Sequence, residues 1–78
     1  MKSAIEEIKD EVRRARAKFP PFNSVHEGFA VLLEEVDELW DEVKRHRRNA
    51  VDLRKEAIQV GAMAVCFIED ICWEAIKK

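Results

Sequence analysis

Apolar residues recur along this chain at steps of three and four in separate runs, the repeat that builds one face of an α-helix. In the first run Ile5, Ile8, Val12, Ala15 and Phe19 form a single narrow stripe, and Ser3-Ala4-Ile5-Glu6 has the form of a capping box at its start. A helix is expected from about residue 4 to about residue 18. Phe19-Pro20-Pro21-Phe22 then stops it, because proline disfavours helical geometry in the preceding residue and has no backbone N–H to donate. The two flanking aromatics are expected to pin this connector to the core.

Ser24-Val25-His26-Glu27 is a second capping box, so the next helix is expected from about 25 to 46. At 100° per residue, Val25, Phe29, Leu32, Val36, Leu39 and Val43 share one face, the expected core stripe. Leu33 and Trp40 flank it on one side; Glu35, Glu38 and Glu42 flank it on the other. Asn49 or Asp52 can cap a third helix, expected over about 51–77. Between Ala57 and Ile68 this helix carries no charge and only Gln59 as a strongly polar residue. A helix apolar all round is buried all round, and two further helices from so short a chain cannot cover it. The fold expected is therefore all-α: a single domain over 1–78, a three-helix protomer whose two long antiparallel helices form a four-helix-bundle core in a homo-oligomer.

Composition supports that reading. The chain has 78 residues, 47% apolar and 38% charged, with two Gly and two Pro, the composition of long helices. A chain of this length buries only about 60–65% of its unfolded surface, so its own core is thin. The formal net charge of −2 gives no support to nucleic-acid binding. No apolar run reaches the roughly 18 residues of a membrane span and no signal-peptide pattern opens the chain, so a cytoplasmic protein without a membrane partner is expected. Cys66 and Cys72 lie six residues apart in one helix, about 9 Å along its axis, too far for a disulfide; both are expected to be buried thiols. Trp40, Trp73 and Phe22 are expected in the core before any stacking role.

Charge segregation changes the picture. Seven acids (Glu27, Glu34, Glu35, Asp37, Glu38, Asp41 and Glu42) lie between Ser24 and Val43 with no Lys or Arg among them. Glu34/Glu38, Asp37/Asp41 and Glu38/Glu42 are like-charge neighbours on a helix, each costing roughly 0.2–0.5 kcal/mol. Something positive is expected beside this face: a cation, a basic helix of the same fold, or both. Helix 1 carries Lys9, Arg13, Arg14, Arg16 and Lys18, which either pair with local acids or aim at the acidic helix or at phosphates. Lys44-Arg45-His46-Arg47-Arg48 offsets the negative end of the helix 2 dipole, with a phosphate-gripping patch as the alternative.

With helices 2 and 3 antiparallel, Glu35 and Glu38 can face Glu56, which stands at the edge of the apolar run. A carboxylate there is costly unless paired or bound to metal, and a hard divalent cation such as Mg²⁺ takes oxygen ligands. Leu33-Glu34-Glu35-Val36-Asp37-Glu38-Leu39, followed by Leu53-Arg54-Lys55-Glu56-Ala57-Ile58-Gln59-Val60, resembles the paired motif of the MazG-like all-α nucleoside triphosphate pyrophosphohydrolases, Glu-Glu-x-x-Glu on one helix and Glu-x-x-Asp on the next. The resemblance covers about residues 24–74. It implies Glu35, Glu38 and Glu56 as ligands of Mg²⁺, with Mn²⁺ as the alternative ion, and Glu34 as the residue that supports the site or orients water. Gln59 stands where the family has Asp; its amide oxygen can ligate but brings no charge. Arg54 and Lys55, next to Glu56, are candidate phosphate contacts. The resemblance also implies a nucleoside triphosphate substrate, cleavage between the α and β phosphates, and a homodimer or dimer of dimers. The alternative is a non-catalytic helical oligomer of the same type that binds nucleotide or a protein partner. A plain helical oligomer whose acids pair with helix 1 is a third reading.

Overall fold

The computed structural model describes residues 2–73, which form three α-helices: α1 (Ala4–Lys18), α2 (Val25–Lys44) and α3 (Ala50–Ile71). Each starts at a polar cap. Ser3 Oγ accepts from Glu6 N while Glu6 Oε1 accepts from Ser3 N, closing the capping box. At α2, Ser24 Oγ accepts from Glu27 N at 3.0 Å, but Glu27 Oε1 accepts from Asn23 N at 2.7 Å instead of from Ser24, so the box opens by one residue. Asn49 caps α3, its Oδ1 accepting from Val51 N at 2.7 Å. The ends follow proline and charge: Phe19, before Pro20, is extended, as a residue preceding proline must be. Helix α2 ends at Lys44, two residues earlier than expected; Arg45 is extended and Arg48 Nη1 reaches back to Val43 O at 3.2 Å. Helix α3 begins at Ala50 and leaves α-geometry after Ile71, with Cys72 as its cap; the remainder of the expected helix, 74–77, lies outside the described residues.

Helix α3 is the centre. It packs against both α1 and α2, whose Cα atoms stay more than 8 Å from each other. Glu35 and Glu38 meet Glu56, while Gly28 meets Phe67, so α2 runs antiparallel to α3. Ile8 meets Gly61 and Arg16 meets Asp70, so α1 runs parallel to α3. The end of α1 and the connector are tied to α3 through Asp70. Arg16 binds both its carboxylate oxygens, at 2.8 and 2.9 Å, and Phe22 N donates to Oδ2 at 3.0 Å. Of the two aromatics expected to pin the connector, Phe22 is half-buried and Phe19 is exposed.

The face of α2 differs from expectation. Its inward residues are Gly28, Val31, Leu32, Glu35, Leu39 and Glu42, at helical steps of three and four. The apolar set Val25, Phe29, Leu33, Val36, Trp40 and Val43 is exposed, Phe29 and Trp40 each at 56%. The helix is therefore turned by about 60° from the apolar stripe towards its carboxylates. Gly28 accounts for part of this, for a Cβ there would lie 2.8 Å from Phe67 Cδ2: the missing side chain lets Phe67 of α3 pack against the α2 backbone on that side. Consequently the chain buries little on its own. Among the described residues only Ala62 and Cys66 are buried apolar groups. Both cysteines are free, and Cys72, contrary to expectation, is exposed. Trp40 and Trp73 are likewise exposed and not core. No helix among the described residues is long and apolar enough to cross a membrane.

Candidate metal centre

The turn of α2 brings its acids to α3. Glu35, half-buried on the inward stripe, and Glu38, one turn on and exposed, converge with half-buried Glu56 at the start of the apolar run of α3. One carboxylate oxygen from each lies within 4.8 Å of the others. Burial pushes the Glu35 carboxyl above its ordinary value, and the charges of Glu38, Glu56, Glu34 and Glu11 push the same way. Glu56 is raised by burial first and then by Glu38 and Glu42.

Among the described residues no ion pair neutralises this cluster, and only the charge of Lys55, outside ion-pair distance, acts on Glu56 in the opposite sense. Among the described residues Glu34, Glu35, Asp37, Glu38 and Glu56 take part in no ion pair. The basic side chains that form ion pairs do so elsewhere: Lys2 and Arg13 with Asp10, Arg14 with Glu11, Arg16 with Glu69 and Asp70, Lys44 with Asp41, Arg45 with Glu42, and Arg54 with Glu7. Helix α1 thus spends its arginines on its own acids and on the far end of α3. The reading in which the acids of α2 pair with α1 loses its premise.

The donor set fits a hard divalent ion. Glu56 Oε2 is buried with no hydrogen-bond partner, an orphaned acceptor inside a negative cluster. An octahedral ion with bonds of about 2.1 Å holds its ligand oxygens at most about 4.2 Å apart, so small side-chain movements would close the set around one ion.

A cavity of about 740 Å³ opens beside the cluster, between α1, the connector and the α2–α3 pair. Glu34, Glu35 and Gln59 are on one wall, Arg14, Arg16 and Lys18 on the other, and Phe19, Pro20 and Phe22 at its end. Glu34, Glu35, Glu38, Glu56 and Gln59 therefore gather in one region; the convergence of Glu35 and Glu38 with Glu56 is the one that helix spacing leads one to expect. Arg54 and Lys55 instead border a second, smaller groove between α1 and α3, where Arg54 is paired to Glu7. Two further acids belong to this region: Glu42, which helix spacing places on the same flank as Glu35 and Glu38, and Glu11 of α1, which is not anticipated. Glu42, on the inward stripe, has a buried unpartnered Oε1 and adds its charge to Glu56. Glu11, on α1, has a side chain only 16% exposed and touches Gln59. Its position three residues from Ile8, on the inner side of α1, is the signal that could have found it.

No protein-family model, no curated protein and no solved structure matches this chain.

Proposed function

We propose that this chain is a Mg²⁺-dependent nucleoside triphosphate pyrophosphohydrolase of the MazG-like all-α type, in which water cleaves the α–β phosphoanhydride to give a monophosphate and pyrophosphate. The observation that carries the proposal is the convergence of Glu35, Glu38 and Glu56 without any ion pair, together with the orphaned Oε2 of Glu56. Glu35, Glu38 and Glu56 would hold the ion, with Gln59 as a neutral fourth donor; Mn²⁺ would serve as well. Such an ion would offset polyphosphate charge and polarise a phosphoryl oxygen. Glu34, exposed on the cavity wall, orients the attacking water and accepts its proton. Arg14 and Lys18, across the cavity, face the polyphosphate, and Phe19 and Phe22 offer apolar surface to a base. Arg54 and Lys55 remain candidates for phosphate contact only if substrate extends around Gln59 into the second groove.

The same proposal includes self-association. The outward stripe Phe29, Leu33, Val36, Trp40 and Val43 has the 4-3 spacing of a helix-packing seam and runs for about 21 Å. The single chain exposes 6162 Å², against about 4,900 Å² for a compact monomer of its mass. That excess is in the range a stable dimer buries from each partner, about 800 Å² and upward. The radius of gyration, 13.6 Å, likewise exceeds the roughly 11.5 Å of a compact domain of this length. A homodimer or dimer of dimers that covers this seam completes the four-helix core.

One observation favours a non-catalytic helical oligomer that binds nucleotide or a protein partner: Gln59 gives the donor set no fourth charge. Turnover of a panel of ribo- and deoxynucleoside triphosphates in Mg²⁺ and then Mn²⁺, with products separated, decides between the two. Monophosphate and pyrophosphate, lost in Glu38→Gln, are expected. No turnover while sedimentation shows an intact oligomer would favour the binding protein.

A further inference from the structure

Helix α1 lies outside both half-motifs, yet one of its carboxylates reaches the site. Glu11 and Arg14 of α1 and Gln59 of α3 border both cavities, forming the partition between them. The Glu11 side chain is 16% exposed, low for an acid on the outermost helix. Arg14 Nε and Nη2 both donate to Glu11 Oε1, at 2.9 and 2.5 Å, which leaves Oε2 as the open acceptor. Gln59 borders the same two grooves as this carboxylate, close enough for its amide to act on the Glu11 charge. Glu11 is also near enough for its charge to be felt at Glu35.

An amide has one oxygen and one NH₂ on a planar group, and the two exchange places by a half-turn. As a metal ligand only the oxygen serves; a cation repels the NH₂ side. A carboxylate cannot be the wrong way round, so an Asp at this position would need no such control. A carboxylate acceptor placed against Gln59 fixes the choice, because only the NH₂ can donate to it. The oxygen is then the end left for the Glu35, Glu38 and Glu56 cluster.

We propose that Glu11 is a positioning residue of the metal centre: it holds Gln59 amide-nitrogen outward, so that Oε1 serves as the fourth donor, and supplies from the outer shell the negative charge Gln59 lacks. The inference rests on the reading of Glu35, Glu38 and Glu56 as a divalent-metal site. Outer-shell partners of this kind fix the orientation of a ligand, and their loss typically weakens metal affinity by about 10–100-fold.

The test is Mn²⁺ binding without nucleotide, followed by electron paramagnetic resonance of the free ion, on the full chain and on Glu11→Gln, Gln59→Asp and the double variant, with melting temperature measured alongside. Glu11→Gln is expected to weaken Mn²⁺ binding roughly tenfold or more when residue 59 is Gln. In the Gln59→Asp background the same change should weaken it little or strengthen it, since Asp needs no orientation and is repelled by Glu11. A merely structural Glu11–Arg14 pair would instead lower stability and affinity alike in both backgrounds, and that result overturns the inference. Equal Mn²⁺ affinity in the unmodified protein and Glu11→Gln also overturns it. Gln59→Leu, which leaves the Glu11–Arg14 pair intact, gives an independent reading should Glu11→Gln fail to fold. It is expected to lose affinity, and unchanged binding refutes the role of Gln59. If Gln59→Asp binds Mn²⁺ and the unmodified protein does not, the positioning role fails and the carboxylate site stands. If neither binds, the metal reading itself fails.

Discussion

Replacing Glu56 by Gln should stabilise the metal-free protein, although most substitutions of half-buried residues destabilise. Glu56 has a buried oxygen with no hydrogen-bond partner and lies with Glu35 and Glu38 inside a 4.8 Å cluster. Two like charges at that distance repel by about 0.9 kcal/mol in a water-like medium and about 3.5 kcal/mol at an effective dielectric of 20. Because Glu38 is exposed, the watery end applies, and two such neighbours sum to about 2 kcal/mol. At this separation salt screens little, since the Debye length at 0.15 M is about 8 Å. Glutamine keeps the shape, removes the charge and offers an N–H to the remaining carboxylates.

Thermal unfolding in chelator, at one fixed protein concentration, is the assay. A gain of about 2 kcal/mol corresponds to a rise of roughly 10 °C for a chain of this size. Mg²⁺ should reverse the order, because an ion at a hundred times its dissociation constant adds about 2.7 kcal/mol to the unmodified protein alone. A lower melting temperature for Glu56→Gln in chelator would refute the account of an uncompensated acidic cluster. An equal Mg²⁺ shift in both proteins would refute the site.

Stability should vary with pH in a way that Mg²⁺ changes. Glu35 and Glu56 have raised carboxyls, so their ionisation costs stability as pH rises from the ordinary Glu value through their folded-state values. Asp70, held low chiefly by Arg16, acts oppositely, and its contribution is lost as pH falls through its depressed value. Melting in chelator should therefore peak in mildly acidic solution, and Mg²⁺ should remove the decline towards neutrality; a neutral-side decline unaffected by Mg²⁺ would count against the site. Asp70→Asn should cost about 2 kcal/mol in urea unfolding, because it takes the charge from a carboxylate that is 9% exposed and binds Arg16 with both oxygens; an unchanged midpoint would show that the tie is idle. Gly28→Ala should destabilise by about 1–2 kcal/mol, the 2.8 Å approach of its new Cβ to Phe67 outweighing the roughly 1 kcal/mol that Ala gains in a helix. A higher urea midpoint would mean that Phe67 gives way freely.

What could be read from the chain divides by range of interaction. Caps are chemistry within four residues, and Ser3, Ser24 and Asn49 each do what their identity leads one to expect. The convergence of Glu35, Glu38 and Glu56 also follows from short range, through a one-turn step on α2 and a five-residue connection that forces antiparallel helices. The rotation of α2 does not. Its apolar pattern points to Val25, Phe29, Val36 and Val43, but a pattern does not say whether its partner is the same chain. The contact of Gly28 with Phe67, 39 residues away, helps decide that. The fate of the arginines was hidden for the same reason. Arg16 could equally meet α2 or α3 until the path of the connector sends it to Asp70. Glu11 is marked locally only by its place three residues from Ile8 on the inner side of α1; that this side of α1 reaches Gln59 is set by the packing of α1 on α3.

The rotation of α2 links two properties that look separate. Turned as it is, α2 directs Glu35 and Glu42 inward and Phe29, Val36 and Trp40 outward, so a lone, metal-free chain bears repulsion on one face and exposed apolar surface on the other. Turning α2 back by about 60° would relieve both, releasing the acids to water and burying the stripe. A divalent ion bound as proposed would oppose that turn by holding Glu35 and Glu38 against Glu56. A second copy docked as proposed would oppose it too, by covering the stripe where it stands. Two ligands that favour the same arrangement of one element are coupled, and each strengthens the other by the same factor. Mg²⁺ should therefore tighten self-association, by an amount within the roughly 5–150-fold common for such coupling. Sedimentation equilibrium in chelator and in Mg²⁺ measures it. Glu38→Gln should abolish the difference while leaving association itself intact, and Trp40→Glu should weaken both association and Mg²⁺ binding although it lies outside the donor set. Association equally tight with and without Mg²⁺ would separate the two faces and leave the rotation of α2 to packing within the chain.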